Sequence, residues 1–449
     1  MRAVELSVVD FFDADEIEAM ARKTGFVERA SPLTGLKFLL TFTVGLLNTP
    51  DGTLGQLAAF LGASCEAPVS PQAVDGRISA QAREFMGLCL RQALKMLASI
   101  PRGAGSALER FDHVYVIDST SFELRAALAP HFKGSGGDAS AASMRIQFAF
   151  DYRTGVMHVE IGDVRLSDTA ALARLVQTQD LPMDGICLFL SDLGYFKATT
   201  FAAIRSRPGH HFLSKLQFGV KLTEPDGSDL DLQRLLRRAP GQIDMTVRMG
   251  QTLCRLVGTR LPDDVVNRRI RKANVASQSK SRQITDMYRL FLHYALFVTS
   301  LPPEYDMPQL FALYRIRWQV ELAFKVWKSI LAIHRIRSAK TDRVLCEVYG
   351  KLIVAVLISA LCAAAWAFLD GLVISPHKAA RHVRAVATNW ALAIMAGIGA
   401  HRAFLKSLRR PLGRFCRKTS QKCKPTIEDI LSNALPMIPR DQARQSLTA

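Results

Sequence analysis

Three carboxylates are placed to do chemistry together. Asp118 ends the short apolar run His113-Val-Tyr-Val-Ile, Asp192 follows the run Ile186-Cys-Leu-Phe-Leu190 and Ser191, and Glu321 lies in a stretch without Gly or Pro. In open α/β sheets ligand sites form at the carboxyl ends of strands, so two such Asp and a Glu from a packed helix can converge. Converging carboxylates repel unless a cation joins them, and hard oxygen donors suit Mg²⁺ or Mn²⁺. Two such ions ~3.5–4 Å apart activate a water and stabilise the leaving oxygen of a phosphodiester. One strand-end Asp alone is more commonly a cap or turn residue. The set of three carries the expectation.

Glu321 has polar company. As one helix, residues 314–328 place Tyr314, Arg317, Glu321 and Lys328 within an arc of ~60°. Ile316, Val320, Ala323, Phe324, Trp327 and Leu331 occupy a broad adjoining arc, and Leu322 and Val326 lie on the far side. That pattern predicts a helix buried over most of its circumference with one polar stripe. The plain alternative is an Arg317–Glu321 ion pair on a solvated face.

The elements that must hold these residues read as a mixed α/β core. Residues 144–150 and 156–161 predict two strands joined by Asp151-Tyr-Arg-Thr-Gly155, residues 170–176 a helix, and residues 186–190 a strand buried on both faces. Residues 31–100 read as helical, with Ser70-Pro71 as N-cap and first helical residue of a helix running to Leu97. Ile243, Met245, Val247 and Met249 alternate with polar residues, and residues 252–261 and 287–298 are further strand candidates. Arg268, Arg269, Arg271 and Lys272 open a basic loop between them that runs through Arg282. From residue 304 the chain is mostly helical, and the last 25 residues read as a mobile polar tail.

The balance of charge points to a polyanion. The 449 residues hold 58 Lys plus Arg against 40 Asp plus Glu, a formal charge of +18. Residues 371–424 alone carry twelve Lys or Arg and no acid. Nucleic acid is the first partner this implies and an anionic membrane surface the second. A chain that is 49% hydrophobic is not disordered throughout. The eight Cys are scattered without a CxxC pair, which disfavours a zinc site or disulfide framework and fits a reducing cytoplasm. The acidic N-terminus does not read as a signal peptide. Residues 352–369 are 18 residues without a charge, the lower limit for a membrane span, and read better as a core helix. Gly134, Gly136 and Gly137 follow Lys133 rather than precede it, so they make no phosphate loop. His210 and His211 lack partners for a metal.

The spacing Tyr314-x2-Arg317-x3-Glu321-x6-Lys328 resembles the YREK signature of bacterial transposases of the insertion sequence 4 family. Asp118-Ser119-Thr120 and Asp192-Leu-Gly194-Tyr195-Phe196 look like that family's first two catalytic blocks. The resemblance covers residues 110–340 with specific motifs and 31–100 loosely. It implies an RNase H-like core interrupted by a β-rich insertion, which accounts for the 129 residues from Asp192 to Glu321. The domains expected are a helical DNA-binding region (1–105), the first part of the core (106–215), the insertion (216–303), core helices with Glu321 (304–370) and a basic C-terminal region (371–449). By the same resemblance Asp118, Asp192 and Glu321 bind two Mg²⁺ or Mn²⁺ ions. Tyr314, Arg317 and Lys328 hold phosphates of double-stranded DNA, at element ends and target. Arg268, Arg269, Arg271 and Lys272 add backbone contacts, and the protein acts as a homodimer at the bacterial nucleoid, in the cytoplasm and away from membranes. Relatives stack a flipped base on a Trp of the insertion. Here no Trp lies between Asp192 and Arg317, leaving Phe291, Tyr294 or Phe297 as substitutes. A metal-dependent nuclease without strand transfer, or an inactive DNA-binding descendant, satisfies the same residues.

Overall fold

Eight apolar or alternating runs become strands in the computed structural model, which describes residues 2–99, 108–136, 140–178, 180–238, 241–278, 283–368, 373–418, 425–435 and 447. They are β1 (His113–Leu124), β2 (Ala142–Asp151), β3 (Met157–Gly162), β4 (Cys187–Ser191), β5 (His210–Lys215), β6 (Gln242–Met249), β7 (Thr252–Arg260) and β8 (Tyr294–Thr299). The strand order is β3-β2-β1-β4-β5-β8-β7-β6. β4 is buried along its whole length and pairs in parallel with β1 and with β5, which is why it reads as one continuous apolar run. β2 and β3 form an antiparallel hairpin, and Gly155 closes its turn at φ 81°, donating its N–H to the Asp151 carbonyl at 2.8 Å.

The chain divides into two compact units. The first comprises Met1–Gly103, Ser119–Leu166 and Trp318–Lys424; the second comprises Ala104–Asp118, Ser167–Arg317 and Pro425–Ala449.

In the first unit the helix Thr341–Phe368 packs against the helices Ala80–Ala98, Arg2–Phe11 and Pro376–Ala385. Most of its apolar length is buried inside the protein, as a core helix requires. Leu369 lies outside the described residues. Gly350 brings this helix against the π-helical segment Thr41–Gly45, where a Cβ would overlap the Phe42 carbonyl. Buried Thr41 and Thr43 return their hydroxyls to the carbonyls of Lys37 and Leu39 at 2.7 and 2.6 Å, local bonding that loosens the α-helical ladder.

Fully buried Trp390 donates its indole N–H to His401 Nε2 at 3.0 Å, with the Phe12 ring edge-on to both. Burial pushes the His401 imidazole down to about 4. A depressed folded pKa gives stability that is present above the unfolded value of ~6.5 and lost as pH falls towards 4. The expected result is that thermal stability falls by up to about 3 kcal/mol through this residue between pH 7 and 4. His401→Asn should flatten that slope in a pH series of melts, and an identical slope in the variant would refute it.

In the second unit β4 and β5 continue into the antiparallel strands β8, β7 and β6. Among the described residues, 216–303 therefore mix three strands with three helices, and their strands extend one sheet. Two expectations fail here. The basic loop from Arg268 is the helix Asp263–Gln278, with Asp263 and Asp264 in its first turn, where acids favour a helix N-terminus. Residues 279–282, including Arg282, lie outside the described residues. The strand expected over 287–298 begins only at Tyr294. Thr285 caps a preceding helix, Asp286–Leu292, by accepting from the Tyr288 N–H.

The helix expected from Pro71 to Leu97 is two, Pro71–Gly76 and Ala80–Ala98, because Ser79 caps the second by accepting from the Ala82 N–H. The mobile tail is also corrected. Thr426 and Asp429 form a capping box that starts the helix Ile427–Ala434, which packs on the helix Met307–Arg315. Residues 436–446 and 448–449 lie outside the described residues. His210 and His211 are buried in β5, and His211 places its ring nitrogens on the carbonyls of Ser300 and Leu447 at 3.0 and 2.8 Å.

Candidate active site

Parallel register sets the site. Ile117 pairs with Ser191, and Ser191 with Ser214. One residue further along each strand stand Asp118, Asp192 and Lys215. Asp192 keeps an extended backbone, φ −82° and ψ 170°, just past β4. The alternation of the strands thus carries all three side chains to one face, on strands ~4.8 Å apart. Two carboxylates and one ammonium form a row across β1, β4 and β5. Lys215 was not singled out from the sequence. The signal was present: Phe212-Leu213-Ser214-Lys215 ends a strand as Phe189-Leu190-Ser191-Asp192 does.

Tyr314 and Arg317 close over this row. The Tyr314 hydroxyl donates to the Ser191 carbonyl at 3.2 Å. Lys215 Nζ lies 5.5 Å from its ring centroid and Arg317 Cζ 5.9 Å. Burial pushes the phenol well above its ordinary range; Arg317 opposes this, and the charges of Asp192 and Asp118 add to it. Both carboxylates are therefore within electrostatic reach of one neutral hydroxyl. Arg317 Nη1 reaches Asp118 Oδ2 at 3.3 Å, with side-chain exposures of only 12% and 20%.

The single helix expected over 314–328 is interrupted between these residues and Glu321. One helix ends at Arg315 and the next begins at Trp318. Ile316 and Arg317 turn on bonds to carbonyls three residues back, Leu313 and Tyr314, at 3.0 and 3.1 Å. The tighter turn aims Arg317 at Asp118.

Glu321 and Lys328 belong to the first unit, on the helix Trp318–Ser329. Phe324 and Trp327 seat that helix on Phe148 of β2, with ring centroids 6.0 and 4.9 Å apart. Glu321 is half-buried in its first turn and Lys328 exposed in its last, the arrangement the helix dipole favours. The helix is less enclosed than its sequence suggests, since Trp318 is 59% exposed and Leu322 36%.

The residues of the helix Asp263–Gln278 divide. Arg271 and Lys272 are exposed. Arg268 pairs with Asp264 at 2.7 Å on the surface. Arg269 donates to the Tyr294 carbonyl at 2.9 Å, and burial lowers its pKa, which is a structural role. Tyr294 and Phe297 are buried in β8. Phe291 instead joins Phe218 and Tyr288 in an aromatic group whose Phe218 is 39% exposed.

Among the described residues no group of three or more His, Cys, Asp or Glu side chains stands at metal-ligating spacing. Asp118 and Asp192 nevertheless supply hard oxygen donors side by side, the donor chemistry that Mg²⁺ or Mn²⁺ takes. Arg317 meanwhile offsets the charge of Asp118. The donor set fits such an ion.

Comparison with known proteins agrees in kind. A family model described as a transposase DDE domain matches residues 109–357. The transposase for insertion sequence element IS1151 of Clostridium perfringens is 28% identical over 391 residues, covering 80% of each chain. The transposase for insertion sequence element IS231B of Bacillus thuringiensis subsp. berliner is 26% identical over 362 residues, covering 75% of each. A cryo-EM structure of the piggyBac transposase synaptic complex with hairpin DNA superposes with a TM-score of 0.49 at 10% identity, over 95% of this chain and 87% of that one.

Proposed function

Because the chain belongs to the transposase DDE domain family, we propose that it is a cut-and-paste enzyme of the insertion sequence 4 type, built on an RNase H-like core. Its substrates are the double-stranded ends of an insertion sequence and a target duplex. Water attacks a phosphodiester at the element end, breaking the P–O bond and leaving a 3′-hydroxyl. That hydroxyl then attacks a target phosphodiester and displaces a target 3′-hydroxyl. The observation that carries this reading is the register row of Asp118 and Asp192, with Arg317 held on Asp118.

Asp118, Asp192 and Glu321 are the residues that would hold Mg²⁺ or Mn²⁺ in this reading. Two such ions, when bound, supply a nucleophile at neutral pH and neutralise charge on the leaving oxygen. The chain's own groups position the DNA. Tyr314 stays protonated and can turn its one O–H from the Ser191 carbonyl to a phosphate. Arg317, Lys215 and Lys328 are cations for phosphates near the scissile bond. Arg317 also limits carboxylate repulsion before any ion arrives. Arg271 and Lys272, together with the cations of residues 378–418, neutralise backbone without reading sequence; residues 419–424 of that basic run lie outside the described residues. Two chains acting on paired ends complete the proposal.

The test is cleavage of a labelled duplex carrying one element end. Nicking should require Mg²⁺ or Mn²⁺ and stop with EDTA, while a gel shift of the same duplex persists. Cleavage undiminished in EDTA would overturn the metal-dependent reading.

A further inference from the structure

The segment that follows the helix Trp318–Ser329 has no part in the site described so far. Residues 334–340, His-Arg-Ile-Arg-Ser-Ala-Lys, hold three permanent cations and no acid. All their neighbours named here belong to the first unit. The segment starts from a strained point, since Ala332 has φ 46°, a left-handed conformation unfavourable for any residue with a Cβ. Such strain persists only where the surroundings impose it. Lys351 imposes it. Its ammonium is 1% exposed and donates to the carbonyls of Ala332 at 2.9 Å and Arg335 at 3.3 Å. A buried cation thus pins both ends of the bend, and Glu347, bonded to Arg343 at 2.9 Å, lies in its field.

The bend presents Arg335 and Arg337 to solvent, 63% and 62% exposed. Both reach towards one carboxylate, Asp51 Oδ2, at 3.8 and 3.7 Å. His334 stands beside them, its imidazole lowered by desolvation and by Arg335, Lys328 and Lys351. Exposed ion pairs at such distances contribute little, whereas Arg binds phosphate oxygens through a matched fork of donors. Two arginines sharing one loosely held carboxylate form an anion site with a weak internal occupant.

We propose that Arg335 and Arg337 bind DNA backbone phosphates, and that Asp51 occupies their site when DNA is absent. The proposal rests on the DNA-processing reading above and adds a contact beyond Lys328, with a built-in competitor.

Binding of a fluorescent element-end duplex to the full chain, without divalent metal and across a salt series, tests it. The Arg335→Gln, Arg337→Gln double variant should lower the slope of log K against log salt by about 2. Asp51→Asn should tighten binding at low salt, because it removes the competitor and leaves both arginines. A wild-type slope in the double variant, or weaker binding by Asp51→Asn, would overturn the proposal. Wild-type protein that binds no DNA would instead overturn the reading on which it rests.

Discussion

Asp118→Asn and Asp192→Asn should each lower element-end cleavage on the order of a thousandfold, the scale of losing a group that stabilises transition-state charge, while binding of the same duplex stays close to wild type. Asn keeps the size and one acceptor oxygen of Asp and removes only the charge. Asp118 and Asp192 stand one residue past the Ile117–Ser191 pair on adjacent parallel strands, so each change halves the anionic charge of the register row. The two variants should differ in a secondary effect. Asp118→Asn removes an ionic partner of Arg317, which is only 12% exposed, and should cost some stability. Asp192→Asn removes a like charge from beside Asp118 and should not. Single-turnover cleavage, read with a thermal melt of each variant, separates the two effects. Cleavage within tenfold of wild type by either folded variant would remove that Asp from the chemistry.

Gly350→Ala should destabilise the first unit by about 3 kcal/mol or more, at the upper end of overpacking penalties. The added methyl has no free volume to enter. It would overlap the backbone carbonyl of Phe42, and backbone cannot rotate aside as a side chain can. Phe42 is itself fully buried within the π-helical segment Thr41–Gly45. Relief therefore requires the helix Thr341–Phe368 to move off that segment. Denaturant unfolding should show a lower midpoint, with Gly87→Ala as a control: there the new Cβ meets the Tyr349 ring at 3.5 Å and Arg91 Nη1 at 3.8 Å, both ordinary contacts. Equal midpoints for both variants would mean that the close approach at Gly350 is not a constraint.

Much of this architecture is legible before any coordinates, and the reasons are physical. Residues 186–190 announce β4 because a strand buried on both faces tolerates only apolar residues. Asp151 to Gly155 announces a hairpin because its last residue needs positive φ. The two Asp could be found because each follows such an apolar run; Asp192 does lie just past the end of β4, whereas Asp118 is not a strand end, since β1 continues through it to Leu124. Other features depend on tertiary neighbours. The break at Ile316–Arg317 has no Gly or Pro to mark it; it coincides with Arg317 reaching Asp118 and Tyr314 reaching Ser191. The helix Asp263–Gln278 reads as a loop because its polarity suggests solvent, and a polar helix with one buried side chain, Val266, carries little periodic signal. Lys215 does not stand out from sequence alone, because a lone Lys at a strand end has no signature until register places it beside Asp192. The helix Ile427–Ala434 is hidden by the polarity of the last 25 residues, although Thr426 and Asp429 spell a capping box.

Excision tests most directly the proposal that Glu321 completes a catalytic set with Asp118 and Asp192. A marker flanked by the ends of the encoding locus is placed on a plasmid with wild-type protein or Glu321→Gln, and excision junctions are counted by sequencing. Junctions are expected with wild type and none above background with Glu321→Gln, at equal protein level and equal binding to the end duplex. Equal junction counts for the two proteins would contradict it.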